Sequence, residues 1–215
     1  MNKRQSVTLC GETLHGPHHI CAFFSSREEQ YEILLPWIKD GINNKEEVFS
    51  ILHKDFHDDH CSRLSKAGIP VQEMVTRGQL KIHASEDTYL HGGTFAAERM
   101  TKLLEQALID AQSGPYGKFR GYGEMEWALK NLPGTDELME YEARINTYAP
   151  KYDCSIICAY DITRFSGSAI VDILATHPYV IMDGKIHKNP HYTEPLEFLG
   201  KLIKRPKRPL GEQSQ

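Results

Sequence analysis

His19-Ile20-Cys21-Ala22-Phe23-Phe24-Ser25-Ser26-Arg27-Glu28-Glu29 decides the fold. Its first part is apolar, aromatic and short, which predicts a buried strand over 19–26. Its second part opens a helix: Ser26 can cap it, and Glu29, three residues on, completes a capping box. Tyr31, Leu34, Leu35, Ile38 and Ile42 then keep helical spacing through 27–42. Pro36 is expected to kink that helix or mark an irregular turn, and Gly41 with Asn43-Asn44 to end it. A strand turning straight into a helix is the unit of a parallel α/β sheet. A phosphate-binding loop at such a turn needs glycine-rich amides and a lysine. Residues 24–29 have neither, and two glutamates stand where a phosphate would go. Hydrolysis of ATP by the usual route is not expected, and the chain is read as a non-enzyme.

Working outward, the same alternation repeats. Strands are predicted over 47–53, 79–84, 119–125 and 154–161, and a closing hairpin over 179–182 and 185–187 around Asp183-Gly184. Between them lie helices at 55–67, at the Met100, Leu104, Leu108 face, at Leu138, Tyr141, Ile145, Tyr148, and at 167–177. The expected fold is a three-layer α/β domain with a largely parallel central sheet and helices on both faces. Such sheets bind ligands outside the carboxyl ends of their strands. That rule selects Ser25, Asp55, Glu124, Trp127 and Asp161 as candidate ligand-lining residues.

Composition bounds the class. The 215 residues suit one domain with a sizeable core. No apolar run approaches the roughly 20 residues that span a bilayer. Residues 1–17 are polar, without a signal-peptide core, and read as a flexible leader; a cytoplasmic location is expected. Five cysteines, an odd number, argue against a disulfide framework. Cys154 and Cys158 lie four apart on a predicted strand, about 13 Å, too far to bridge. Net charge is −4, but five basic residues crowd 200–215, which reads as a disordered basic tail. Without that tail 20 basic residues face 28 acidic ones, so nucleic-acid binding by the domain itself is not expected.

Arg120-Gly121-Tyr122-Gly123-Glu124-Met125-Glu126-Trp127 carries the densest chemistry. If both lie on the strand, Glu124 and Glu126 share one face about 7 Å apart. Close carboxylates can hold a polar ligand or divide acid and base work; the simpler reading pairs one of them with Arg120. Trp127 either walls an apolar pocket or belongs to the core. His53, His57 and His60 have i, i+4, i+7 spacing, but a strand end at His53 breaks it, so no metal site is assigned there. His18 and His19 are read as structural or surface residues away from the cleft. No G-x-S-x-G elbow occurs, and no cofactor is expected.

An ordered set of landmarks runs along the chain. It comprises His19-Ile20-Cys21, Gly41, Gly123-Glu124-Met125 with Trp127, Tyr141-Glu142 with Asn146, Tyr160-Asp161, His177-Pro178 with Val180-Ile181, and Asn189-Pro190 with Tyr192. The set resembles the MEDS sensory domain of prokaryotic signalling proteins, with the domain over 18–199. The resemblance implies a RecA/KaiC-like core with a degenerate nucleotide site. It also implies ligand sensing in signal transduction, with simple hydrocarbon derivatives as ligands. The output partner would be a signalling protein such as a histidine kinase or a transcription regulator. Two other readings stand beside it: a ligand-free regulator of a kinase or sigma-factor pathway, and an enzyme using Glu124 and Glu126.

Overall fold

A computed structural model describes residues 6–206 and 208–211. The parts of the expected leader and tail at 1–5, 207 and 212–215 lie outside the described residues. A central sheet runs β5 (Leu80–Ala84), β4 (Glu47–Leu52), β6 (Phe119–Glu124), β7 (Cys154–Asp161), β3 (His18–Phe24), β8 (Tyr179–Met182), β9 (Lys185–Lys188). Neighbours pair in parallel except β8 with β9, the expected closing hairpin. The fold class is therefore as expected: a three-layer α/β domain.

The inner strands are buried on both faces and read as continuous apolar runs for that reason. Period-two alternation sends Cys21, Phe23, Ile156, Cys158 and Tyr160 into one core. There they meet α4 (Ala97–Ser113), α5 (Leu138–Tyr148), α6 (Gly167–Thr176) and α7 (Pro195–Lys204). Ile20, Ala22, Phe24, Ile157 and Ala159 enter the other, under α1 (Arg27–Asn43), α2 (His57–Lys66) and the short α3 (Val71–Thr76). Each fully buried aliphatic or aromatic side chain contributes roughly 1.5–3 kcal/mol.

Three expectations need correction. Residues within the expected leader form a hairpin, β1 (Ser6–Leu9) and β2 (Glu12–His15), whose Val7 and Leu9 bury against the α1 side. Its two apolar side chains alternate with polar ones, a short signal inside a polar stretch. The basic tail begins as helix: α7 runs to Lys204, and Arg205 and Arg208 both reach Asp172 on α6. Arg120 does not pair with Glu124 or Glu126. It is fully buried at the start of β6 and binds Glu46, Asp40 and the Trp37 carbonyl. Four residues along a strand separate it from Glu124 by about 13 Å, so nearer carboxylates take it.

The helix α1 runs past Pro36. Gly41 sits inside its last turns because Arg120 crosses there: a Cβ at Gly41 would meet Arg120 Cδ at 2.7 Å. All five cysteines are free thiols.

Candidate functional site

The carboxyl ends of β3, β4, β5, β6 and β7 surround a cleft of about 440 Å³. Phe24, Phe56, Trp127 and Tyr160 give it aromatic walls, while Arg27, Glu124, Glu126, Asp161 and Arg164 give it charge. The mixture suits a small molecule with an apolar body and one polar group.

The turn after β3 explains why α1 begins where it does. Ser26 has extended backbone, and its hydroxyl accepts from the Glu29 N–H at 3.2 Å, as a cap does. Glu29 reaches back one residue further than a capping box requires: Ser25 N–H and Ser25 hydroxyl both donate to its carboxylate at 2.8 Å. Two acidic side chains in the first turn answer the positive end of the helix dipole.

Arg27 projects from that turn into the cleft. It lies 3.0 Å from Glu124 Oε1 and stacks over the Phe56 ring at 3.9 Å. Glu124 is buried at the end of β6 and also accepts from Tyr122 hydroxyl at 3.2 Å. Gln30 binds the same tyrosine hydroxyl. Glu126 begins a 3-10 turn beyond the strand and so leaves the strand's two-residue alternation. It accepts from the Asp161 N–H at 2.8 Å. Burial, and then the neighbouring Glu124 carboxylate, pushes the Glu126 carboxyl up to about 7.

On the opposite rim His53 caps a 3-10 turn by accepting from the Asp55 N–H, and its Nε2 lies 2.8 Å from Glu86. Burial alone would raise the Glu86 carboxyl, but hydrogen bonds from Lys130 and two backbone amides outweigh it and hold it at about 2. His60 faces away, bonded to Tyr31 at 2.7 Å, so the His53, His57, His60 spacing is not one cluster.

Four of the five strand-end candidates, Asp55, Glu124, Trp127 and Asp161, come together around the cleft. Ser25 is outside the lining and is engaged by Glu29. Asp161 accepts from the backbone and hydroxyl of Thr163, at 2.9 and 2.6 Å, which fixes the end of β7. Trp127 belongs to core and cleft at once. It stacks on Tyr89 and Phe95, with ring centroids 4.7 and 4.4 Å away, and its indole N–H is buried without an acceptor. Glycine at 123 makes room for that stack: a Cβ there would collide with the Tyr89 hydroxyl. Arg27 and Arg164 line the cleft without having been singled out by the sequence, and Glu126, weighed there together with Glu124, lines it too. Charge at a helix start read as capping, and Glu126 read as strand.

Sequence reading missed a buried polar group behind the cleft wall. His19 on β3, Cys158 on β7, Glu142 on α5 and His177 after α6 converge in the α4–α7 core. Tyr160 joins the two places: it lines the cleft and donates its hydroxyl to Glu142 Oε1 at 2.7 Å. Burial first, then the adjacent His177, pushes the His19 imidazole down to about 4. All four residues except Cys158 stand among the landmark motifs, but nothing in their separate spacings brings them together.

A KaiC-like protein from Pyrococcus horikoshii OT3 superimposes with a TM-score of 0.58, covering 80% of this chain and 74% of that one at 11% identity. That likeness shows the fold. Residues 18–178 match the profile described as the methanogen/methylotroph, DcmR sensory domain, MEDS. The chain belongs to the MEDS family. The transcriptional repressor DcmR of Methylorubrum extorquens is 27% identical over 160 residues, 74% of this chain. The chain spans 57% of that repressor's length. Family and relative support a sensory or regulatory role. Among the described residues no helix is long and apolar enough to cross a membrane.

Proposed function

We propose that the chain is a cytoplasmic sensory domain that binds a small molecule in the carboxyl-edge cleft and passes its occupancy to a partner protein. The reading rests on one observation above others. The cleft lies at the carboxyl ends of the strands, and at its first turn the Glu29 carboxylate takes the Ser25 N–H and hydroxyl, donors that a phosphate would otherwise use. A ligand there is recognised by aromatic walls and by the Arg27–Glu124 pair with Asp161, Asp55 and Trp127. Simple hydrocarbon derivatives with one polar group fit that chemistry. A transcription regulator or a histidine kinase is the partner class, in line with the repressor relative. Nucleotide hydrolysis plays no part in this account.

Screening short-chain alcohols, aldehydes, amines and carboxylic acids by thermal shift and tryptophan fluorescence tests it. Trp127 lines the cleft whereas Trp37 is in the opposite core, so a bound ligand changes the emission of one of two tryptophans. Saturable change that Asp161→Ala weakens supports the proposal; a flat response across the panel counts against it. The second reading, a regulator without ligand, draws on exposed Leu196 and Ile203, one face of α7 by their i, i+7 spacing. Affinity capture of one partner at high yield, with no ligand response, favours it.

A further inference from the structure

The buried group behind the cleft can be read by counting protons. Asn146 spends its amide nitrogen on the Glu142 and Thr176 carbonyls, at 3.2 and 2.6 Å. Its Oδ1 is therefore the atom 3.1 Å from His19 Nδ1, which must carry the hydrogen. His177 Nδ1 lies 2.7 Å from the Ile173 carbonyl, which only accepts, so it carries a hydrogen too. With Nδ1 carrying the hydrogen, each Nε2 is left as the ligand atom of its ring, and both face Glu142 Oε2, at 3.1 and 3.3 Å. Cys158 Sγ lies 3.5 Å from His19 Nε2 and 3.5 Å from Glu142 Oε2, and its one proton serves only one of them. His177 Nε2 has no hydrogen-bond partner. Four ligand-type atoms thus face one another in the buried core, where unpaired polar atoms are costly.

A cation satisfies all four. Around zinc, bonds of about 2.3 Å to sulfur and about 2.0–2.1 Å to nitrogen and oxygen give tetrahedral edges of about 3.4 and 3.6 Å. The four edges given above, 3.1, 3.3, 3.5 and 3.5 Å, are close to that figure, and all four donor atoms lie within 4.8 Å of one another. Charge also closes. One thiolate and one carboxylate neutralise a dication, which is what full burial demands. The outer partners already orient the donors: Asn146 and the Ile173 carbonyl hold the two Nδ1–H groups, and Tyr160 holds the second carboxylate oxygen. Thiolate with imidazole selects a zinc-class ion over magnesium or calcium.

We propose that His19, Glu142, Cys158 and His177 bind one divalent zinc-class cation in a closed structural site. Loading displaces the Cys158 thiol proton to solvent and forms the sulfur–metal bond, with no change of oxidation state. The ion ties α5 and the α6–β8 junction to β3 and β7, and through Tyr160 it supports the wall of the cleft. Because the site is closed, the metal enters as the chain folds.

Cobalt is the probe. The full chain, made without an affinity histidine tag, is unfolded and refolded with Co²⁺. The expected product holds one cobalt per chain, with intense tetrahedral d–d bands and a thiolate charge-transfer band that Zn²⁺ bleaches. Cys158→Ser is expected to lose the charge-transfer band, and Cys61→Ser, at a half-exposed thiol, to keep it. Refolding with Zn²⁺ rather than chelator is expected to raise the thermal midpoint by about 5 °C or more. If Cys158→Ser does not refold, the wild-type bands and the midpoint decide. Spectra no stronger than octahedral aqueous cobalt with equal midpoints in zinc and chelator overturn the proposal, as does a charge-transfer band that survives Cys158→Ser.

Discussion

At Glu126 the carboxyl titrates near 7 rather than 4.5, because burial and then Glu124 disfavour its charge. The folded chain therefore holds this proton more tightly than the unfolded chain does. The stability it lends is complete below pH 4.5 and is lost as pH rises through 7. Partial exposure discounts the effect to about 1–2 kcal/mol. Glu126→Gln keeps an acceptor for the Asp161 N–H and removes the charge. Urea unfolding is expected to show the variant more stable than wild type at pH 8 and equal to it near pH 4.5. Arg120 poses the opposite case. Arg120→Met leaves Glu46 buried without its partner, at a cost of about 3–5 kcal/mol in denaturant unfolding. The double change Arg120→Met with Glu46→Gln is expected to recover part of that loss.

Local signals placed the elements: aromatic, β-branched strands, the Ser26 cap and the Asp183-Gly184 turn all act over a few residues. The sequence predicts the end of α1 at Gly41 with Asn43-Asn44. The use of Gly41 is steric, since α1 and β6 approach so closely that Arg120 occupies the space of a side chain. Gly→Ala inside a helix ordinarily stabilises by about 1 kcal/mol. Here Gly41→Ala is expected to destabilise by about 1–3 kcal/mol, because Arg120 is pinned by Glu46, Asp40 and Trp37. A raised thermal midpoint in that variant would contradict this packing account. Glu126 escaped the strand reading because the residue before it already leaves β geometry, a change no periodicity announces.

For the whole molecule, alternation of strand and helix carried the architecture, and the rule of strand carboxyl ends carried the cleft. What the sequence left hidden was contact between distant segments. Cys158 and His19 stand 139 residues apart, and only the parallel register, Cys21 beside Cys158, brings their strands together. Ser25 shows the converse limit: a correct strand end, with its side chain turned to Glu29.

The most direct measurement is a two-dimensional amide NMR map of the labelled chain, titrated with the compound that gives the largest thermal shift. The strongest saturable changes are expected at Arg27, Glu124, Asp161 and the Trp127 indole N–H. Changes confined to the β1–β2 hairpin or to the outer face of α7, with these signals still, would contradict a ligand in the cleft.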